Sequence, residues 1–378
     1  MRAPALAVAL LLSSSARAVE GGVIDRTTTF AVSIVAGGPS SPEMRCSGTL
    51  VSPDVVLTVR HCVGRAPPAL GNCDVDFGPP SGQLWVGTTP WVLPGSGWHK
   101  VERVVVPEPT KACGNDVALL VLETPVGEAE ATPARIVTTA ETFHEVAKQR
   151  ALGLSGFGAI DATGKQNGTR RVRADIPVKC VPGEPGYACG SDLSVIDALE
   201  FTAGSGPCSG DSGAGAWAPA ERGLVFGVLS RGNLEQTCAE GVFERTDVWS
   251  WLIAKTVLDA AQKSQSTPPS WASALFPAAA GEGAFCRDAS VCGALSECAS
   301  LDGRRSWTCV AKCSADRACA SGRRCENGLC LALAADAPSP VGCALASPFA
   351  TAGRASASAF AAAVALALGA RRRRRRSS

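Results

Sequence analysis

The sequence predicts an all-β fold, a sandwich or a barrel, on three observations. Short apolar or β-branched runs recur from Phe30 to Leu229, Gly, Pro, Ser and Asp punctuate them, and no helical period appears until close to residue 246. The first run is Phe30–Val35. Gly48–Val51 and Val55–Thr58 follow, divided by Ser52-Pro53-Asp54, where Pro pre-sets the backbone for a turn and the short polar neighbours close it. Gln83–Val86, Val101–Val106, Asp116–Leu122 and Leu224–Leu229 complete the series. A helix begins at Thr246 or Asp247, either of which can cap it, and Trp251, Ala254, Leu258 and Ala261 recur on one face of it. Trp249 and Trp251 read as core packing.

Three local contexts carry chemistry. His61 stands in Leu57-Thr58-Val59-Arg60-His61-Cys62, Asp116 in Asn115-Asp116-Val117-Ala118-Leu119-Leu120, and Ser212 in Cys208-Ser209-Gly210-Asp211-Ser212-Gly213. A serine hydroxyl is a poor nucleophile at neutral pH. An imidazole within hydrogen-bonding reach takes its proton and later hands it to the leaving amine, and a buried carboxylate fixes the imidazole tautomer. Singly, each residue has an ordinary structural reading; the three in this order point to Ser212 as nucleophile, His61 as general acid and base and Asp116 as its orienter. The chain has 3 histidines, and the other two, His99 and His144, read as loop or surface residues.

The order His, Asp, Ser and these flanks resemble the chymotrypsin-like serine proteases over roughly residues 19–262. The resemblance implies two six-stranded antiparallel barrels with a C-terminal helix closing the second. His61 and Asp116 would sit in the first barrel, Ser212 in the second, and catalysis in the cleft between. It assigns the oxyanion donors to the backbone N–H groups of Gly210 and Ser212, which no side chain obstructs. The family's Gly-Asp-Ser-Gly-Gly-Pro becomes Gly210-Asp211-Ser212-Gly213-Ala214-Gly215 here, a departure after the reacting residues. Asp211 is the family's buried partner of a newly exposed N-terminal amine, which by resemblance is that of Val19 in Val19-Glu20-Gly21-Gly22. The substrate pocket maps to Gly206, Ser230, Arg231, Gly232 and Gly241, with Ser230 also bonding Asp116. Gly206 stands six residues before Ser212, where members cleaving after Lys or Arg carry an aspartate, so cleavage after basic residues is not expected. A roomy neutral pocket suits a large apolar side chain, and Arg231, at a position commonly Trp, offers the alternative of recruiting acidic substrates.

The 17 cysteines divide into eight between Cys46 and Cys238, eight between Cys286 and Cys330, and Cys343. Such usage behind a signal peptide indicates export to an oxidising compartment. Resemblance pairs Cys46 with Cys62 and Cys208 with Cys238. Cys73 with Cys113 would steady the aspartate loop, and Cys180 with Cys189 would close a Pro/Gly-rich loop. The spacings lack the close pairs of zinc sites, so no metal and no cofactor is expected. Arg2, the apolar Ala5–Leu12 and Ala16-Arg17-Ala18 read as a signal peptide over 1–18, whose removal would itself expose Val19.

Residues 19–262 form the expected protease domain, 263–284 a Ser/Pro/Ala/Gly linker and 285–330 a disulfide-rich module too small to fold on burial alone. Cys286–Cys309 and Cys313–Cys330 read as two half-units of a spacer or adhesive module. After a second linker, 331–342, the tail 343–378 begins with Gly342-Cys343, continues as the weakly apolar Ala355–Ala370 and ends in the arginines 371–376. It resembles the tripartite sorting tails of myxobacterial surface proteins, which implies cutting or lipid attachment at Cys343 and a membrane contact through the tail. A helix of 16 residues reaches about 24 Å, short of a ~30 Å bilayer core, and the arginines obey the positive-inside rule. Without those six arginines, Arg2 and Arg17, the body has 28 basic against 34 acidic residues, so no basic stripe remains for nucleic acid. The expectation is therefore a secreted, surface-tethered serine endopeptidase acting on proteins or peptides. The competing reading is a silent protease fold serving adhesion, for which Arg60, commonly Ala beside the histidine, is the argument.

Overall fold

The computed structural model describes residues 19–67, 72–161, 167–190, 196–232, 238–277, 281–302 and 305–332. The signal segment, the tail and Cys343 lie outside the described residues. The elements in chain order begin with β1 (Val23–Ile24), β2 (Ala31–Ala36), β3 (Glu43–Ser52), β4 (Val55–Thr58), β5 (Trp85–Gly87), β6 (Trp98–Val105) and β7 (Ala118–Leu122). Strands β2 to β7 close into a six-stranded antiparallel barrel in the order β2-β3-β4-β7-β6-β5. The continuous burial of β2, β4 and β7 explains their unbroken apolar runs: one face fills the barrel and the other is covered by neighbouring elements.

Next come β8 (Arg135–Ile136), α1 (Ala140–Ala147), β9 (Ala151–Gly156), β10 (Arg171–Cys180), β11 (Glu200–Ala203), β12 (Gly215–Ala218), β13 (Glu221–Gly232) and β14 (Gly241–Arg245). The ring β9-β10-β11-β14-β13-β12 closes through the β9–β12 pairing, and β1 and β8 add to its edges. The architecture is thus two six-stranded antiparallel barrels. In β10 the period of two is plain: Ile176, Val178 and Cys180 are buried while Pro177 and Lys179 are exposed. The second core stacks Phe201 on Phe226 and Phe243, with centroids 5.3 and 5.1 Å apart, and Phe143 of α1 joins them. A phenylalanine taken fully out of water contributes about 1.5–3 kcal/mol.

Helix α1 escaped the sequence reading because it is short. Its signals are a Thr139 cap, whose side chain accepts the Thr142 N–H, and the helical spacing of Phe143, Val146 and Ala147. Helix α2 (Ser250–Ser264) starts later than expected, after a turn at residues 246–249. It also packs elsewhere: Ile253, Ala254, Val257 and Ala260 join the core of β4 and β7 in the first barrel, whereas closure of the second was expected. Ser264 and Ser266 donate to Asp54 Oδ2 at 3.1 and 2.9 Å, fastening the end of α2 to the Ser52-Pro53-Asp54 turn.

The stretch 263–284, expected as a linker, includes α3 (Ser270–Leu275), which packs against α2 and buries Ala272 completely. The cysteine-rich region comes next as two hairpins, β15 (Ser296–Ala299) with β16 (Thr308–Ala311) and β17 (Arg323–Glu326) with β18 (Leu329–Ala332). Bridges 286–298 and 292–309 staple the first half-unit, and 313–325 and 319–330 the second. Trp251 Nε1 of α2 donates to Cys286 O at 2.9 Å, Arg287 pairs with Asp259, and Phe276 packs on Phe285 at 6.1 Å. The first half-unit is therefore docked on the helix and not strung behind it. No helix of the described residues is long and apolar enough to cross a membrane.

Candidate active site

His61 lies in a single 3-10 turn, Arg60–Cys62, at the end of β4, and the Cys46–Cys62 disulfide ties that turn to β3. Asp116 precedes β7 and is wholly buried. Its Oδ1 accepts the His61 backbone N–H at 3.0 Å, and its Oδ2 meets His61 Nδ1 at 2.8 Å and accepts the Ser230 hydroxyl at 2.6 Å. Burial works against the Asp116 charge. The positive charge that His61 can carry, its two donors and Ser230 outweigh burial, so the carboxyl is held below its ordinary value. Upstream, Cys73–Cys113 spans 40 residues and anchors the approach to Asp116, a closure worth about 4 kcal/mol by loop entropy. Cys208–Cys238 and Cys180–Cys189 are also formed.

Ser212 ends a tight turn that opens into β12. Gly213, at φ +87°, passes so close to β3 and β4 that a Cβ there would lie 2.2 Å from Ser47 O and Thr58 Oγ1; glycine alone fits. Ser47 N–H donates to Ser212 O at 2.8 Å, which locks the Ser212 backbone to the first barrel. The Ser209 carbonyl accepts the Ala159 N–H at 2.8 Å. In a trans peptide the N–H points opposite to its carbonyl, so this bond aims the Gly210 N–H away from Ala159. Among the described residues neither the Gly210 nor the Ser212 N–H has an acceptor in the chain. A cavity of about 320 Å³ opens here, lined by Arg45, the Cys46–Cys62 bridge, His61, Ser209, Gly210 and Ser212.

Behind the turn Asp211 is fully buried, accepting the Gly158 N–H at 2.8 Å and the Cys208 N–H at 3.0 Å. Burial pushes its carboxyl up to about 7, against those two donors. Val19 is fully buried in the second core, and the next residue is tied down: Glu20 N–H donates to Gly206 O at 2.7 Å, and Arg173 Nη1 donates to Glu20 O and Ser205 O. Val19 has φ 39°, a left-handed conformation that a β-branched residue adopts only under strain.

The expected pocket walls are brought together in part. Ser230 is buried on Asp116, and Gly232 pairs with Gly241 across β13 and β14. A Cβ on Gly241 would lie 2.9 Å from Pro207 and Phe243, and one on Gly206 2.9 Å from Ile176. A Cβ on Gly232 would meet only Glu240 O, at 3.4 Å. Residues 233–237 lie outside the described residues.

Arg231 corrects the sequence reading. It lines no substrate pocket: its guanidinium is buried in a bidentate pair with Glu200, at 2.6 and 2.9 Å, and Nη1 also donates to Ser230 Oγ at 3.3 Å. The reason is a bulge in β13, where Leu229 faces Phe243 and Arg231 faces Val242, leaving Ser230 unmatched. Bulges re-aim side chains, often beside active sites. Glu200 and Glu244 were not anticipated. Glu200 also accepts the N–H groups of Gly114 and Asp197, and Glu244 Oε1 accepts the Asp116 N–H at 3.0 Å. Burial, then the charges of Glu200 and Asp116, push the Glu244 carboxyl well above its usual range, directly behind Asp116. An acidic residue inside the fully buried β14 was the available signal.

Arg60 turns away from the site, donating to Pro107 O and Pro109 O and stacking over Phe77 at 5.4 Å. His99 is not a loop residue: it is buried in β6, with Nε2 3.1 Å from Glu130 Oε2. His144 lies on α1, paired with Glu184.

Two antiparallel barrels joined across a groove define the architecture of a serine endopeptidase of the trypsin type. The Trypsin family model matches residues 23–252, and the chain belongs to that family. Among solved structures it is similar to HL collagenase, at 17% identity over 63% of this chain and 97% of that one, with a TM-score of 0.45.

Proposed function

We propose that the chain is a secreted, surface-tethered serine endopeptidase in which Ser212, His61 and Asp116 are the catalytic residues. The observation that carries this reading is a single cavity bordered by Ser212, Gly210 and a His61 already bonded to buried Asp116. Ser212 Oγ attacks the substrate carbonyl while its proton passes to His61 Nε2. The resulting oxyanion receives the unengaged N–H groups of Gly210 and Ser212. Collapse breaks the C–N bond, His61 returns the proton to the leaving amine, and an ester on Ser212 remains. Water then attacks that ester by the same route, with His61 again as base, and frees the acid. Gly206 presents no carboxylate, which supports a preference other than Lys or Arg before the scissile bond.

Labelling by a fluorophosphonate tests the reading. Wild-type protein with its N-terminus at Val19 is expected to gain one adduct, located at Ser212 by mass spectrometry, and Ser212→Ala none. If both stay dark, the protein is a silent protease fold and the adhesion reading replaces this one.

Cutting before Val19 makes its nitrogen an amine and removes the strained φ torsion. That amine suits Asp211, whose buried carboxyl has two backbone donors and no cation among the described residues. A pH dependence results. In a chain extended by one residue ahead of Val19, Asp211 ionises at about 7, against the ordinary 3.8. Between those values the folded state holds one proton more than the unfolded. Stability is therefore complete below pH 4 and falls as pH rises to about 7, by on the order of 4 kcal/mol. Urea melts at pH 4 and 7.5 are expected to show this loss in the extended chain and not in the chain beginning at Val19. Equal pH profiles would refute the pairing. The tail reading is carried by sequence alone, and a mature membrane-bound species retaining arginines 371–376 by intact mass would exclude its processing.

A further inference from the structure

In the β2–β3 ladder Ile34 faces Cys46 and Val35 faces Met44, so Arg45 has no partner across the pair. It is the extra residue of a bulge. Strict alternation from Cys46, which is buried and bridged to Cys62, would not by itself bring its neighbour to the reacting centre; a bulge does. Arg45 is exposed, borders the same cavity as His61 and Ser212, and is the sole arginine or lysine in its lining. No carboxylate lines that cavity, and among the described residues the Arg45 guanidinium enters no hydrogen bond or ion pair. Arg60 and Arg231, by contrast, are consumed by Pro107, Pro109 and Glu200.

The side of the cleft decides which part of a substrate meets this cation. By the resemblance to trypsin-type proteases, the segment ahead of the scissile bond belongs with Ser230, Gly232 and Gly241, and none of these borders the cavity. The substrate segment beyond the scissile bond therefore runs into it, past the His61 that protonates the departing amine. Resting on the protease reading above, we propose that Arg45 forms a carboxylate-binding subsite on the leaving-group side of the cleft, selecting substrates with Asp or Glu in the first two positions after the cleaved bond. A guanidinium presents a planar fork of donors that matches a carboxylate bidentately. At a solvated cleft edge the preference is modest, about two- to fivefold in kcat/KM over an uncharged residue, and it weakens with salt.

The test uses quenched-fluorescence peptides identical ahead of the scissile bond and carrying Glu, Gln or Lys in the first and second positions after it. Enzyme is titrated with fluorophosphonate so that only competent sites are counted. Wild type is expected to rank Glu over Gln over Lys, with the Glu/Lys ratio compressed at high salt. Arg45→Glu is expected to reverse the ranking and cleave the Lys peptide faster than wild type does, a gain that misfolding cannot produce. An unchanged Glu/Lys ratio in a variant that still labels overturns the subsite alone. Failure of wild type to label at Ser212 overturns the protease reading, and the subsite with it.

Discussion

Asp116→Asn is expected to lower kcat by about 10⁴ while leaving the fold in place. The substitution keeps the shape of the side chain, and its oxygen still accepts the His61 backbone N–H that Asp116 Oδ1 takes at 3.0 Å. The other position changes sign. Where Oδ2 faced the His61 Nδ1 proton, an amide NH₂ now offers a donor, so Nδ1 must turn acceptor and Nε2 must carry the proton. An Nε2–H cannot receive the proton of Ser212. The same NH₂ also confronts Ser230, whose hydroxyl donated to Oδ2 at 2.6 Å and must rotate to accept instead. The loss is therefore one of base competence, and it should appear in kcat more than in KM. Single-turnover acylation with an activated ester measures it directly. A loss below tenfold, with thermal stability unchanged, would show that His61 is not oriented by Asp116.

Much of this was legible in the chain because its signals are local. Short Val- and Leu-rich runs mark β2, β4 and β7 because these strands are buried on both sides. The sets around His61 and Ser212 are compact because a turn next to a disulfide and a glycine-bracketed serine are each built within six residues. The unread features are long-range. Glu200 meets Gly114 across 86 positions and Glu244 meets Asp116 across 128, with no motif at either end. Strand β3 begins at Glu43, ahead of the apolar run that announces it, because the exposed charges of Glu43 and Arg45 interrupt any apolar pattern at its start. The two arginines that matter most, Arg45 and Arg231, both stand at bulges. A bulge changes which way a side chain points without leaving a residue pattern, so position by resemblance placed Arg231 on the wrong face.

Arg231→Met is expected to cost about 3–5 kcal/mol of stability, because it leaves Glu200 as a charge buried at 0% exposure with backbone donors alone. For a domain of this size that is a fall in Tm of roughly 6–20 °C. Turnover is expected to fall as well, since the Arg231–Glu200 pair holds both ends of the aspartate support: Glu200 fixes Gly114 two residues ahead of Asp116, and Arg231 Nη1 fixes Ser230 Oγ on its carboxylate. The cause is separable from mere loss of volume. Removing the second charge in Arg231→Met/Glu200→Gln relieves the uncompensated carboxylate, so the double variant should be more stable than the single one, a coupling that a double-mutant cycle reads directly. Arg231→Lys keeps the charge but replaces the fork that spans both Glu200 oxygens with a point donor, and should fall between wild type and Arg231→Met. A single variant within about 1 kcal/mol of wild type, or a double variant no better than the single, would mean that the ion pair is incidental and that Glu244, through its bond to the Asp116 N–H, carries the aspartate loop by itself.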